Sequence, residues 1–486
     1  MIKRWIAVLA MAVVVVLTSK AEVIKVDTQQ DFETLGRKVD AAVKSGAKEV
    51  DVVLAPKTFY FSRPLLNFNG KRWEEVSISL SGTGGATVIT PAQETLRDTT
   101  PPSGLMQCDR LIEVVDEGSK LCRLRLNKTQ SRQLNTQISN FESQWSIRIT
   151  QWFKSLVYDV ESIDRKWIYF RVPDLSYNKS YGCYNVNLDY GYSHRWAPGR
   201  EVMPRFRLES AQGKEKMATR LLSLSNCRLA ALQIEGVSFV GSGGGDDYLI
   251  KLNDVKADSL VVKGCRFSGI RCGVMQALDC ENVRVKNNAF SLCHRYGVYA
   301  GFCVNTVVTG NTFERMGLAC TNSFCVRCSG KNYLVADNEF CDFGYGGIAM
   351  GTWWQTEKHT DETGVVERNH LYYTPAYMAD WVKHSLMDSG AIYVLTQNDD
   401  VHIRHNNIHD YNGACDNRGI FCDDGASNMH IYDNTIRNIS NSYSIDSRLT
   451  LNIETHENSK VRRVNVNNSI YNNDTDRPIR FEKRPE

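Results

Sequence analysis

From about residue 230, an asparagine stands two positions ahead of a large apolar residue over and over. The pairs are Asn288/Phe290, Asn311/Phe313, Asn338/Phe340, Asn369/Leu371, Asn406/Ile408, Asn434/Ile436 and Asn468/Ile470. Their steps are 23, 27, 31, 37, 28 and 34 residues, so the turn is fixed while the connections are elastic. A short alternating stretch precedes each pair, as in "VRVKNNAF", "VVTGNTF", "VHIRHNNI" and "MHIYDNTI". A second apolar stretch follows in each interval: "GVM" at 273, "GVY" at 297, "CVR" at 325, "GIA" at 347, "AIY" at 391, "GIF" at 419 and "SID" at 444. Few folds tolerate this. A chain that coils, each turn stacking on the last at about 4.8 Å, turns such a pattern into ladders of like residues. The LxxLxL and WD signatures of leucine-rich repeats and propellers are missing.

The fold class predicted is therefore all-β: a right-handed parallel β-helix. "QDFETLGRKVDAAVKSGA" puts Phe32, Leu35, Val39, Ala42 and Val43 on one helical face, suited to an N-terminal capping helix over the open end of the stack. Between about 99 and 225 the repeat is lost. "QWSIRITQWFKSLVYDVESIDRKWIYFRVP" there reads as antiparallel β, which predicts an inserted β-rich subdomain. The expected organisation is a leader over 1–21, cap and first coils over 22–98, the insert over 99–225 and the main solenoid over 226–486.

The leader combines Lys3 and Arg4, an apolar stretch from Ile6 to Leu17 and a small-residue site at Ser19-Lys20-Ala21. That is the pattern of a secretory signal peptide, and the expected protein is exported, periplasmic or extracellular, with no membrane span after cleavage. A formal charge of +3 gives no electrostatic case for nucleic acid. The 15 cysteines form no paired CxxC knuckles and no His spacing for zinc; they read as small buried hydrophobes, and no metal ligand set or cofactor is expected.

Two acidic clusters flank equivalent strands, "MDSGAIYV" from Met387 and "GIFCDDGAS" from Gly419. With the intervening "IHDYN" they resemble bacterial β-helix glycoside hydrolases that include β-xylosidases and fucosidases, within the pectin-lyase-like superfamily. The resemblance implies a carbohydrate substrate and a catalytic pair of Asp388 with one acid of Asp423-Asp424. Aligning the coils on Val298, Val326, Ile348, Ile392, Ile420 and Ile445 disputes that pair. Four positions earlier it sets Asp388 beside Asp416, whereas Asp423 falls at the far end of the strand, about 20 Å or more from Asp388. Asp388 with Asp423 stands first and Asp388 with Asp416 second; Asp416, Asp423 and Asp424 also suit tight turns.

Tyr393 and Arg327 should face outward on the same sheet, and His409 either satisfies a turn or orients Asp423. Trp353, Trp354, Tyr372, Tyr373, Tyr377 and Trp381 on inter-coil loops suit either sugar stacking or packing on the solenoid wall. A polysaccharide lyase is the rival enzyme, with Lys383 or Arg404 as base and Ca2+ between Asp399-Asp400 and Asp423-Asp424. A solenoid that only binds glycan is the third reading.

Overall fold

In the computed structural model, the described residues are 20–71, 73–91, 106–139, 145–151, 154–179, 183–187, 203–210, 218–243, 247–317, 323–351, 362–377, 389–395, 397–412, 417–423, 426–447, 452–456, 459–463 and 467–481. They form a right-handed parallel β-helix with three strand positions per coil. The first runs Gly273–Leu278, Val298–Val304, Phe324–Lys331, Gly346–Met350, Ser389–Val394, Asn417–Cys422, Ile445–Ser447 and Ile479–Phe481. The second runs Val283–Lys286, Val307–Thr309, Tyr333–Ala336, Thr363–Glu367, Gln397–Arg404, Ser427–Tyr432 and Ser469–Tyr471. The three positions form the first, second and third sheets of the helix; two long strands, Leu222–Glu235 and Tyr248–Lys263, pass through both the first and the second and join them into one continuous 21-stranded array, while the third is a separate sheet of 11 strands.

The expected anchors pair as aligned: Val298↔Val326, Val326↔Ile348, Ile348↔Ile392, Ile392↔Ile420 and Ile420↔Ile445. Inside the third sheet, Phe239, Phe267, Phe290, Phe313 and Phe340 stack with centroids 4.9, 4.9, 4.6 and 4.9 Å apart. Each buried ring contributes on the order of 2 kcal/mol, and the coil spacing sets the ring spacing.

The asparagine ladder exists and has one unexpected member. Each Asn Oδ1 accepts from the backbone N and the Nδ2 of the Asn one coil before, from Asn288 through Asn311, Asn338, Asn369 and Asn406 to Asn434. The next rung is Asn473, at 3.1 and 2.9 Å from Asn434, and not Asn468. Asn468 belongs one corner earlier, where its Oδ1 accepts from Met429 N and its strand pairs with residues 430–432. Both positions follow a residue in the left-handed region, Asn467 at φ 58° and Asn472 at φ 54°, so the two corners share one sequence signature.

The cap is two short helices, Gln29–Glu33 and Leu35–Lys44, broken at Thr34 and burying Phe32, Leu35, Val39 and Ala42. A seven-stranded antiparallel sheet lies between the first coils and the main solenoid in sequence. Its spatial order is Met106–Gln107, Arg205–Ser210, Trp145–Gln151, Lys154–Ile163, Trp167–Arg171, Leu121–Arg125 and Glu113–Asp116. It has its own core, including Leu124, Ile147, Phe170 and Phe206. Among the described residues no helix is long and apolar enough to cross a membrane. The leader, residues 1–19, lies outside them.

Candidate active site

The outer face of the first sheet carries a column that mixes polar and aromatic side chains. One outward column reads Gln276, Tyr299, Arg327, Ala349, Tyr393, Phe421, Asp446, Arg480, each paired with the next. Arg327 and Tyr393 therefore share a face as the alternation predicts. The face is covered: Tyr393 is 3 % exposed, and Phe324, Tyr345, Ala349, Leu395 and Phe421 form a small apolar cluster with it, separate from the coil interior. These residues brace a wall. They are no open platform on which a sugar ring can lie.

Two features break the wall. Gly346 and Gly390 place no side chain on it; a Cβ at Gly346 would come within 2.7 Å of the Phe324 ring, and one at Gly390 within 2.8 Å of Phe421 Cβ. Glycine is required there by close approach. Beside Gly390, in register, stands Arg418, which reaches the fully buried Asp446 carboxylate through Nε at 2.7 Å. Arg480 closes the other side through Nε at 2.7 Å and Nη2 at 2.6 Å. Two guanidinium groups holding one buried carboxylate fix Asp446 in place, since losing either would leave a buried charge without its partner. Its neighbours in "SID" look like any strand end, so only the register points to it.

One position before Gly390 and Arg418, Ser389 pairs with Asn417 and its Oγ donates to Asn417 Oδ1 at 2.9 Å. Ser389 also meets the interior, where Tyr411 donates to its Oγ at 3.1 Å. Asp388 and Asp416, the residues immediately before this pair, lie outside the described residues, as do Asp424, Trp353, Trp354 and Trp381.

Asp423 is described and half-buried, and it accepts a 2.5 Å hydrogen bond from the Tyr393 hydroxyl. It follows Cys422, six residues beyond Asn417, so it stands at the opposite end of this strand from Ser389, about 20 Å away. His409 is on another face altogether. It lies on the third sheet, with Nε2 2.7 Å from His370 Nε2 and Nδ1 2.8 Å from Asp410, and does not orient Asp423. Tyr373 and Tyr377 are core residues whose hydroxyls donate to Phe343 O at 2.8 and 3.0 Å. Arg404, the base considered for a lyase, is engaged by Glu367 and Tyr432.

Two groups escaped the sequence. Glu362, 2 % exposed, lies beside Tyr333 and Cys328. Burial pushes its carboxyl up to about 7, against the opposing Gly330 N–H and Arg327 charge. On the outer face of the second sheet, ligand atoms of Asp400, His402 and His430 lie within 4.8 Å of one another. The signal was present: His402 to His430 spans 28 residues, as Asn406 to Asn434 does, so the two imidazoles occupy one coil position. The cysteines, by contrast, behave as expected: among those described all are buried except the half-buried Cys341.

Residues 231–474, half of the chain, match the family described as "NosD: Periplasmic copper-binding protein (NosD)". No curated protein matches the chain. A solved structure described as a glycoside hydrolase superposes with a TM-score of 0.52 at 9 % identity, covering 87 % of this chain and 95 % of that one; that likeness is one of fold. The Gp54 tailspike of Acinetobacter baumannii bacteriophage AP22, solved with a capsular saccharide, gives a TM-score of only 0.16 at 10 % identity, with 91 % and 73 % of the chains covered, and carries no argument.

Proposed function

The chain belongs to the NosD family, and on this β-helix we propose an exported, periplasmic glycoside hydrolase that cleaves a polysaccharide or oligosaccharide with Asp388 and Asp416. The observation that carries the reading is the Ser389↔Asn417 register. Residues adjoining an in-register pair on neighbouring coils stack at about 4.8 Å, close to the roughly 5–5.5 Å between carboxyl groups that retention requires. Asp423 lacks that support, since it adjoins the opposite end of the strand and is already engaged by Tyr393. The pair ranked second on sequence thus becomes the first.

In this mechanism one carboxyl group protonates the glycosidic oxygen while the other attacks the anomeric carbon; water then releases the sugar with the first group acting as base. The family's description also names copper. The donor chemistry of Asp400, His402 and His430 fits that ion, which would supply a Lewis acid there, and the hydrolytic step does not pass through it.

The test is reducing-end release from a panel of glycans. Asp388→Asn and Asp416→Asn should each lower kcat by at least about 1,000-fold, within the range for losing an acid, base or nucleophile, while Asp423→Asn stays near wild type. Loss in Asp388→Asn and Asp423→Asn with Asp416→Asn active would restore the pair implied by resemblance. An unsaturated, ultraviolet-absorbing product would make the enzyme a lyase.

A further inference from the structure

We propose that Asp400, His402 and His430 form an open three-ligand site for a divalent first-row metal ion on the outer face of the second sheet. It is independent of the hydrolytic reading above. The three residues come from two adjacent coils: Asp400 and His402 from Gln397–Arg404, His430 from Ser427–Tyr432. His402 pairs in register with His430, and His430 with Ser469. Regular strands thus aim both imidazoles the same way, with ring centroids 4.7 Å apart.

The distances suit a metal. His402 Nε2 is 3.1 Å and His430 Nε2 3.5 Å from the same oxygen, Asp400 Oδ1. Ligands bound at about 2.0–2.2 Å, set at angles between square and tetrahedral, lie roughly 3.0–3.5 Å from one another. The ligand atoms of the two imidazoles lie within 4.8 Å of one another, so a modest closing of the side chains brings all three atoms onto one ion.

The other ring nitrogens are already committed. His430 Nδ1 is 2.8 Å from Ser469 Oγ, and His402 Nδ1 is 3.4 Å from the Tyr432 hydroxyl. When Ser469 Oγ accepts from Nδ1–H, the Nε2 lone pair of His430 points toward a carboxylate oxygen. Two lone pairs facing each other call for a proton or a metal cation between them. A polar group that fixes the far nitrogen and leaves Nε2 to the metal is the usual outer support of a histidine ligand. Tyr432 is itself held by Arg404 Nη1 at 2.9 Å and stacked on Tyr471 at 5.0 Å, so this support is rigid.

Side-chain exposures of 58 % for Asp400, 32 % for His402 and 37 % for His430 leave the remaining coordination positions to water or to a small ligand. Imidazole with carboxylate accommodates Cu(II), Zn(II) and Ni(II), and the ordinary order of affinities places Cu(II) first. Among the described residues no cysteine joins this group.

The experiment titrates chelator-stripped full-length protein with Cu(II) and separately with Zn(II), by calorimetry and, for Cu(II), electron paramagnetic resonance. One ion should bind per chain, tighter for Cu(II), with hyperfine structure from two nitrogens. His402→Ala and His430→Ala should each weaken binding by at least about 100-fold and Ser469→Ala by about 10-fold, as loss of an outer support does. His370→Ala, which removes the other histidine pair, should leave the affinity unchanged. Saturating Cu(II) should also raise the melting temperature of the wild type and of Glu362→Gln, but not of His402→Gln or His430→Gln, whose side chains keep their bulk. Undiminished affinity in both His402 and His430 variants, or loss shared by His370→Ala, would overturn the proposal. Far-UV circular dichroism distinguishes a lost site from a lost fold, and activity retained in the His variants would show the hydrolase reading standing without the metal.

Discussion

A single carboxyl group gives the solenoid a pH dependence that the sequence does not announce. Glu362 is held at about 7 by burial, against an ordinary 4.5. Below 4.5 it is protonated whether the chain is folded or not. Between 4.5 and 7 the unfolded chain gives up the proton and the folded one keeps it, so stability falls as pH rises through that window and then levels off. The difference amounts to roughly 3 kcal/mol at 1.36 kcal/mol per unit. Urea midpoints measured across the window should decline in the wild type and stay flat in Glu362→Gln, which is neutral throughout. A parallel decline in the variant would place the dependence elsewhere. Nothing in "TDETGVVE" distinguishes this glutamate from its neighbours. Its burial comes from Tyr333 and Cys328 on the preceding coil, about 30 residues earlier, a contact that only the register creates.

Among the repeating elements, two asparagine columns look alike in sequence and differ in what they hold. The inner ladder is buried and complete; the outer column of Asn282, Asn305 and Asn332 bonds side chain to side chain at 3.0 and 3.3 Å in the open. Asn369→Ala takes the acceptor from Asn338 N and Nδ2 and the donor from Val335 O. Buried groups left unpaired cost about 1–3 kcal/mol each, and a net loss of about 3 kcal/mol is expected. Asn305→Ala loses a solvated bond and the tolerance of asparagine for φ 58°, about 1 kcal/mol. Chemical unfolding of the two variants should separate them, and equal losses would show the inner ladder contributing register alone.

The same pair of columns explains how legible the fold was. Spacing and an apolar partner identified the inner ladder from Asn288 to Asn434, because its rungs share one φ-positive turn and one stacked interior residue. They misplaced the last rung because Asn467-Asn468 and Asn472-Asn473 repeat one dipeptide five residues apart, and only Asn468 stands two positions ahead of an apolar residue, Ile470, where Asn473 has Thr475. The first-sheet register was readable from Val298 to Ile445 because those residues alternate against polar neighbours. What that register brings to the outer face was not readable. Asp446 with Arg418 and Arg480, Asp400 with two histidines, and the burial of Tyr393 all depend on residues some thirty positions apart landing in the same place. Sequence spacing indicates such meetings only once the coil lengths are known.

At the scale of the molecule, the solenoid runs uninterrupted past its insertion. Leu222–Glu235 pairs directly with Leu66–Asn69 and Ser77–Ser81 from before the antiparallel sheet. The two hydrophobic cores are separate. The ends that frame the insertion meet the same short stretch: a Cβ on Gly241 would lie 3.7 Å from Pro91, and Gly243 N donates to Ala218 O at 3.0 Å. Residues 241 and 243 are at most about 7 Å apart along the chain, so a linker of roughly six Gly and Ser residues spans from 91 to 218. Replacing residues 92–217 with that linker should leave a β-rich, cooperatively melting solenoid, because stacking energy in a repeat fold comes from neighbouring coils and those neighbours remain. Circular dichroism and thermal unfolding of the shortened chain test this. Should the protein aggregate or melt without cooperativity, the antiparallel sheet contributes to holding the coils together. If it folds and still releases reducing ends, the chemistry belongs to the solenoid, and any change in the preferred chain length of substrate measures what the insertion adds.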